Sequence, residues 1–149
     1  VTRPELQHLF AAKICFDSDK VTHFIPILGI HHKGWEKLLS DSLPRQQLGL
    51  IDQINPLSAP SYSTLVSKLY EDMSNIKIPE RAQAIRMIFI ELSRIVEHLT
   101  SLGTYCRDLG FTFESTTLLS CREKAFELYE KYSGRRNGTY LCRIGGVAQ

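Results

Sequence analysis

Residues 79–109 constrain the fold of this chain more than any other segment. Apolar side chains recur there every three or four residues, at Ala82, Ile85, Ile88, Leu92, Ile95, Leu99, Leu102 and Cys106. This spacing draws one apolar stripe along one face of an α-helix. Pro79 suits the first helical position, and Gly110 suits the stop. The pattern predicts a helix of about 46 Å at ~1.5 Å per residue, with Leu92, Ile95 and Leu99 in a bundle core.

The flanking segments predict shorter elements around that helix. Residues 9–16 and 20–30 are rich in β-branched and aromatic side chains, and Asp17-Ser18-Asp19 between them has turn chemistry, so we expect a β-hairpin. Pro26 suits an edge strand. Further helices are predicted over residues 31–41, 44–55, 61–74 and 115–132, and a short strand over residues 140–144.

The sum of these elements predicts a mainly α fold, a helical bundle with a long central helix plus a small N-terminal β-hairpin and a C-terminal strand. We expect one domain over residues 1–149, with the hairpin in 1–30, the bundle in 31–134 and the terminal strand segment in 135–149. The apolar spacing predicts two sets of inward-facing side chains. They are Tyr62, Leu65, Val66, Leu69 and Met73 on one helix, and Leu118, Ala125, Leu128, Tyr129 and Tyr132 on another.

Composition excludes several classes of protein. A net charge of +2 argues against a dedicated nucleic-acid binder. The four cysteines form no Cys-x-x-Cys pair, and a chain of 149 residues can bury a hydrophobic core without disulfide bonds. We therefore expect free thiols in a reducing compartment. No run of ~18 apolar residues is present, so no transmembrane segment is expected.

Few side chains point to chemistry on their own. Glu91, Arg94 and His98 share one helix face, which suits an ion-pair network between helices or, alternatively, a proton relay. Asp108 ends the long helix, where the dipole disfavours a negative charge, and this mildly favours a functional role. The adjacent pair His31-His32 makes a poor metal site, and Arg135-Arg136 suits a helix end. Neither a zinc-ligand spacing nor a phosphate-binding loop is present.

Five ordered motifs give the chain a family resemblance. They are His32-Lys33-Gly34-Trp35-Glu36-Lys37, Pro79-Glu80-Arg81-Ala82-Gln83-Ala84-Ile85-Arg86, Glu91-Leu92-Ser93-Arg94-Ile95-Val96-Glu97-His98-Leu99, Leu102-Gly103-Thr104 leading to Asp108-Leu109-Gly110, and Arg143-Ile144-Gly145-Gly146-Val147-Ala148. In this order they resemble the 49-kDa subunit of respiratory complex I, the NADH:quinone oxidoreductase. That fold is shared with the large subunits of nickel–iron hydrogenases.

The resemblance implies a peripheral-arm subunit whose bundle helps to form a quinone-reduction cavity. It implies a multisubunit, electron-transporting translocase, peripheral on the matrix or cytoplasmic face of the mitochondrial inner membrane or the plasma membrane. Lys33, Pro56 and Asp108 fall in the vicinity of the quinone site, and Asp108 matches the family's quinone-site aspartate. No cofactor is expected on this chain, because the family's terminal iron–sulfur cluster belongs to a neighbouring subunit, which would be the main partner besides quinone.

The chain departs from the family pattern at several positions. Pro56 stands where the family has a quinone-contacting tyrosine, and Gln53-Ile54-Asn55 replaces an Arg-x-Asp. The N-terminal loop that would carry the histidine partner of Asp108 is not matched, nor is the C-terminal half of the usual subunit. No cysteine lies in residues 55–63, where a hydrogenase would hold nickel, so no metal site is expected.

Three hypotheses follow from the resemblance and its departures. The first is a core segment of the quinone-site subunit, inactive alone and acting inside the assembled NADH dehydrogenase. The second is a non-catalytic accessory or assembly scaffold derived from that subunit, which Pro56 favours. The third is a relative of membrane-bound hydrogenase large subunits without nickel. The chain would be an excised core segment, a split subunit or a degenerate paralogue.

Overall fold

A computed structural model describes residues 11–30, 32–136 and 140–148 of the chain. It confirms a mainly helical fold with a long central helix, an N-terminal hairpin and a C-terminal pair of strands. The elements in chain order are β1 (Ala11–Asp17), β2 (Lys20–Ile27), α1 (Trp35–Ser40), α2 (Pro44–Ile51), α3 (Ala59–Ser74), α4 (Glu80–Asp108), α5 (Thr112–Ser133), β3 (Cys142–Arg143) and β4 (Gly146–Val147). The chain divides into two compact units, Val1–Leu38 and Leu39–Gln149.

The first unit contains the predicted hairpin. Strands β1 and β2 are antiparallel from the Ala11–Ile27 pair to the Asp17–Lys20 pair, with a bulge between Cys15 and Phe16. Ser18 adopts a left-handed conformation with φ 54°, as a tight turn requires. Pro26 lies in a two-stranded sheet, where an absent N–H is tolerated as predicted. Residues 9 and 10 of the predicted strand lie outside the described residues.

The second unit is built on the antiparallel pair α4 and α5. Its core consists of Phe89, Val96, Ala125, Phe126, Tyr129 and Leu141. The rings of Phe89 and Tyr129 are 5.6 Å apart, and the Tyr129 hydroxyl donates a hydrogen bond to the Phe89 carbonyl oxygen at 3.3 Å. The helices approach closely at buried Gly103, where an added Cβ would lie 3.1 Å from the Leu119 side chain. An alanine at position 103 would therefore require the Leu119 side chain to move by a few tenths of an ångström.

The buried face of α4 differs from the predicted one. Its members are Ala82, Arg86, Phe89, Ser93, Val96, Thr100 and Gly103. Ile88, Ile95 and Leu102 of the predicted stripe are 63%, 50% and 53% exposed, so the prediction of Ile95 in the core is wrong. Leu92 and Leu99 are half-buried. The buried face lies beside the predicted stripe and combines the apolar side chains of Phe89 and Val96 with small and polar ones.

The faces that α3 and α5 bury also differ from the predicted ones. On α3 the buried residues are Ala59, Pro60, Ser63, Ser67 and Glu71. Tyr62, Leu65, Leu69 and Met73, which were expected inside, are exposed. On α5, Ala125 and Tyr129 are buried as predicted, whereas Leu128 and Tyr132 are exposed. The buried face of α3 is therefore made of small and polar side chains, whereas the α4–α5 contact includes the large rings of Phe89, Phe126 and Tyr129.

Most of the predicted helix ends are confirmed to within a few residues. α4 begins at Glu80, one position after the predicted Pro79, and ends at Asp108, before Gly110 at φ 88°. Gly134 ends α5 in a left-handed conformation. The predicted strand of residues 140–144 is a two-residue strand that pairs with β4 around Gly145. In the described ranges no helix is long and apolar enough to cross a membrane.

Candidate functional site

A buried ion pair joins three elements of the second unit. The Arg86 guanidinium on α4 donates hydrogen bonds to both carboxylate oxygens of Glu71 on α3, at 3.0 and 2.7 Å. It also donates to the carbonyl oxygens of Arg143 and Gly146, at 2.8 Å each. The Gly145 N–H donates to Glu71 at 2.7 Å. Arg86 and Glu71 thus fasten the β3–β4 turn onto the helices.

The ion pair shifts the titration of both partners. Burial alone would raise the pKa of the Glu71 carboxyl, but the hydrogen bonds from Arg86 and Gly145 and the charge of Arg86 outweigh it, and the pKa is lowered. The hydrogen bonds to Glu71 raise the pKa of Arg86 against the opposing effect of burial. Both groups therefore stay charged at neutral pH, and both carboxylate oxygens of Glu71 are hydrogen-bonded.

A second polar cluster lies where α2, α3 and β3 meet. Asp52, which follows α2 and is 1% exposed, accepts a hydrogen bond from the Tyr140 N–H at 2.8 Å. Its other carboxylate oxygen is buried without a partner among the described residues, as is the Ser67 hydroxyl. Burial raises the pKa of Asp52, although the Tyr140 N–H, the Ser63 hydroxyl and the charge of Arg135 each lower it in part.

The thiol of Cys142 belongs to the same cluster. Its Sγ lies 3.1 Å from the Thr64 hydroxyl oxygen, and the side chain is buried. Burial raises the pKa of the Cys142 thiol, and the hydrogen bonds from Thr64 and Ser63 only partly offset this. Because the thiolate is the reactive form, this cysteine is chemically inert in the folded chain. The cluster packs the C-terminal segment and presents no nucleophile.

The rate of alkylation should differ between exposed and buried cysteines. At mildly alkaline pH, Cys121, which is exposed, should react with iodoacetamide at the rate of an unfolded thiol. Cys142 should react at least ~100-fold more slowly, because it is both buried and protonated. Peptide mass mapping after timed quenching measures the two rates, and addition of urea should make them equal. A Cys142 that labels as fast as Cys121 in buffer would contradict the buried cluster.

Two of the predicted quinone-site residues, Pro56 and Asp108, belong to the second unit, and Lys33 belongs to the first. Asp108 is the last residue of α4 and is exposed. Pro56 is half-buried between α2 and α3. Ser58, two residues on, hydrogen-bonds to Glu97 of α4, and Asp108 lies eleven residues beyond Glu97, about 16 Å along the helix. Lys33 lies in the first unit, with its Nζ 5.5 Å from the centre of the Trp35 ring.

Pro56 has a local structural role. The Ser58 N–H donates to the Asn55 carbonyl oxygen at 3.1 Å, which closes a turn directly before α3. Proline is favoured at the second position of such a turn because its ring presets φ, and asparagine is favoured at the first. Pro56 therefore shapes the start of α3, and a ring without a hydroxyl cannot replace a tyrosine as a hydrogen-bond donor.

The remaining polar candidates lie at the surface. Arg94 pairs with Glu91 at 3.1 Å one helical turn away, and both side chains are more than half exposed; His98 is exposed as well. His32 is exposed, and His31 lies outside the described residues. Arg136 pairs with Glu123. Within the described part of the chain, no three His, Cys, Asp or Glu side chains are grouped to hold a metal ion.

Sequence reasoning missed Glu71, Arg86, Asp52 and Cys142. The sequence held a signal for the Glu71–Arg86 contact, because Arg86 is the last residue of one family motif and Gly145-Gly146 lies in another. The structure joins these two motifs into one contact through the Arg86 guanidinium. A second signal was the row of polar residues at Ser63, Ser67 and Glu71 on α3, which marks a buried helix face made of small and polar side chains.

Comparison with known proteins yields close similarity to one group. The chain is 34% identical over 146 residues to the D-type subunit of NADH-quinone oxidoreductase from Protochlamydia amoebophila, covering 98% of this chain and 36% of that protein. It is 36% identical over 133 residues to the NADH-ubiquinone oxidoreductase 49 kDa subunit of Acanthamoeba castellanii, covering 89% of this chain and 33% of that protein. No protein-family model matches the chain.

The fold is likewise found in a solved structure. A chain of the membrane-bound sulfane sulfur reductase, an archaeal respiratory membrane complex, superposes with a TM-score of 0.89 at 23% identity, covering 99% of this chain and 39% of that one. The chain thus has the same fold as part of that chain. By sequence, the chain belongs to the family of the 49 kDa, or D-type, subunit of NADH-quinone oxidoreductase. It spans about a third of the length of these relatives.

Proposed function

We propose that this chain is the core helical segment of a 49 kDa-type component of an NADH:quinone oxidoreductase, and that it helps to form the quinone-reduction cavity. The observation that carries the proposal is the 34% identity over 98% of the chain to a protein named for this activity. In this role the chain is inactive alone, holds no cofactor of its own and acts peripherally at a membrane. Its partners are the other subunits, above all the one that carries the terminal iron–sulfur cluster.

The position of Asp108 supports a role at a cavity edge. Its carboxylate stands at the exposed C-terminal end of α4, where the helix breaks at Leu109 and Gly110. A carboxylate there can accept a hydrogen bond from a second side chain or orient a protonated partner next to a quinone carbonyl. Near this end of α4, helix α5 packs closely at Gly103, five residues before Asp108.

The scaffold hypothesis has its own supporting observation. Pro56 cannot hydrogen-bond a quinone and is used in the turn that starts α3, while Arg86 and Glu71 serve structural contacts. A chain with this arrangement keeps a bundle for protein contacts whether or not quinone chemistry survives. Asp108 is the residue that discriminates between the two functions, because only the catalytic hypothesis requires its charge.

Asp108→Asn tests the proposal in the assembled complex. If Asp108 orients a proton-donating partner at the quinone, removal of its charge should lower turnover about tenfold, the effect of losing ~1.4 kcal/mol of transition-state stabilisation. The measurement is quinone-dependent NADH oxidation by membranes that carry the variant, normalised to the amount of assembled complex. Asp72→Asn, an equivalent change at an exposed position of α3, is the matched control and should be silent.

Two outcomes would count against the catalytic role. Unchanged turnover of Asp108→Asn at equal assembly leaves the scaffold function as the explanation. A loss of assembled complex with normal turnover per complex assigns Asp108 to contact between subunits instead of quinone reduction.

A further inference from the structure

Two buried polar side chains of the second unit carry atoms that have no hydrogen-bond partner among the described residues. They are Asp52, whose Oδ1 atom is unpaired while its Oδ2 atom accepts from the Tyr140 N–H, and Ser67 on α3. Asp52 is 1% exposed and Ser67 is 0% exposed, so bulk solvent does not reach either side chain. A buried polar group without a partner is costly, and folded proteins therefore keep few of them.

Ser63 links these two side chains in space. Its hydroxyl lies close enough to the Asp52 carboxylate to lower the pKa of that group. Ser67 is four residues further along the same buried face of α3, which is about 6 Å along the helix axis. A water that makes two hydrogen bonds of ~2.8 Å can join atoms about 5.6 Å apart. The spacing therefore suits one bridging water, and we name Asp52, Ser63 and Ser67 the Asp52 site.

The hydroxyl groups of the Asp52 site have capacity for a further partner. Ser63 and Thr100 each donate to the carbonyl oxygen four residues earlier, at 2.8 and 2.7 Å, as buried hydroxyl groups in helices often do. Ser67 makes no such bond, so its hydroxyl can still both donate and accept. Ser63 keeps its acceptor lone pairs after donating. Together with Asp52 Oδ1, the site offers three partners, within the range of about 2–4 that a buried water uses.

The charges around the Asp52 site favour a neutral occupant over a cation. The positive charge of Arg135 acts on Asp52, and that of Arg86 acts on Cys142 in the same cluster. Both charges would repel a metal ion. A hard cation such as Ca²⁺ also takes about 6–8 oxygen ligands, whereas the site has one carboxylate and two hydroxyl groups. Water is neutral, and it can donate to a carboxylate and accept from a hydroxyl at the same time.

We propose that the Asp52 site binds one buried water molecule, which donates hydrogen bonds to Asp52 Oδ1 and to the Ser63 hydroxyl oxygen and accepts one from the Ser67 hydroxyl. The water joins the end of α2 to the buried face of α3. Asp52 extends this connection to the C-terminal segment, because its Oδ2 atom accepts from the Tyr140 N–H. The inference rests on the contacts of these residues and is independent of quinone chemistry.

Counting the internal waters of the 149-residue chain tests the proposal directly. Magnetic relaxation dispersion of the solvent oxygen counts the waters that stay bound inside a folded protein. Ser67→Val places methyl groups in the Asp52 site, so the count should fall by about one. In the matched control Ser93→Val the count should not change, because the buried Ser93 hydroxyl donates to the Ile90 carbonyl oxygen of its own helix. An unchanged count for Ser67→Val, or an equal fall in both variants, overturns the proposal.

The sign of a stability change decides the question should Ser67→Val not fold. A water-bonded hydroxyl stabilises the fold, so Ser67→Ala should raise the unfolding equilibrium constant about 2- to 10-fold relative to Ser101→Ala. Ser101 is an exposed serine of α4, and this comparison corrects for the helix propensity of alanine. A constant equal to or below that of Ser101→Ala means that the Ser67 hydroxyl has no partner and overturns the proposal. Greater stability in sodium or potassium chloride than in choline chloride at equal ionic strength assigns the site to a metal cation and also overturns it.

Discussion

Glu71→Gln is expected to lower the free energy of unfolding by about 3–5 kcal/mol, because it leaves the Arg86 guanidinium buried without a counter-charge. The substitution preserves the volume of the side chain, so the effect reports charge and hydrogen bonding instead of a cavity. A neutral amide can accept from only one side of the guanidinium, and the Gly145 N–H competes for the same oxygen. Urea denaturation followed by circular dichroism gives the difference.

A matched control uses the exposed ion pair of the neighbouring helix α4. Glu91→Gln removes the same charge from a pair with Arg94 whose side chains are more than half exposed. Water screens that pair, so the expected cost is only about 0–1 kcal/mol. Equal losses from Glu71→Gln and Glu91→Gln would mean that the Glu71–Arg86 pair is hydrated in solution and does not fasten the β3–β4 turn.

The Glu71–Arg86 pair also sets the acid dependence of stability. The pKa of Glu71 is lower in the folded chain than in the unfolded one, so its contribution is complete above the ordinary glutamate range. It is lost as the pH falls through the folded pKa. Asp52 acts in the opposite sense, since burial raises its pKa and folding favours its protonated form. The difference between the unmutated chain and Glu71→Gln, measured from neutral to acid pH, therefore isolates Glu71 and should shrink below about pH 4.

The sequence predicted the elements of this fold but not which faces they bury. Periodicity located α4 to within a residue at each end, because proline and glycine punctuate helices through backbone geometry alone. The predicted stripe is not the buried face. Ile88, Ile95 and Leu102 are as apolar as a core requires but are exposed, whereas the buried face combines Phe89 and Val96 with small residues such as Ser93 and Gly103. Apolar spacing identifies a hydrophobic face of a helix, but it does not identify the neighbour that packs on that face.

The candidate site was predictable only in part, for a related reason. Asp108 could be singled out because it stands at a helix end and in a family motif, both of which are local in sequence. The Arg86 contacts could not, since they join residues 15, 57 and 60 positions apart and depend on how α3 and the β3–β4 turn are placed. Long-range pairing of polar groups is set by tertiary packing, which one sequence does not reveal.

Phe89→Ala is expected to destabilise the chain by about 3–5 kcal/mol, because it removes a large buried ring and leaves a cavity between α4 and α5. The ring is 6% exposed and packs on Tyr129, whose hydroxyl donates to the Phe89 carbonyl oxygen. Ile88→Ala, at the adjacent position, deletes exposed apolar surface and should cost less than about 1 kcal/mol. The midpoints of urea denaturation of both variants check this order, at concentrations where the chain is monomeric. The apolar stripe in the sequence places position 88 in the core as well. A loss for Ile88→Ala that equals or exceeds that for Phe89→Ala would therefore mean that Ile88 is buried in the core.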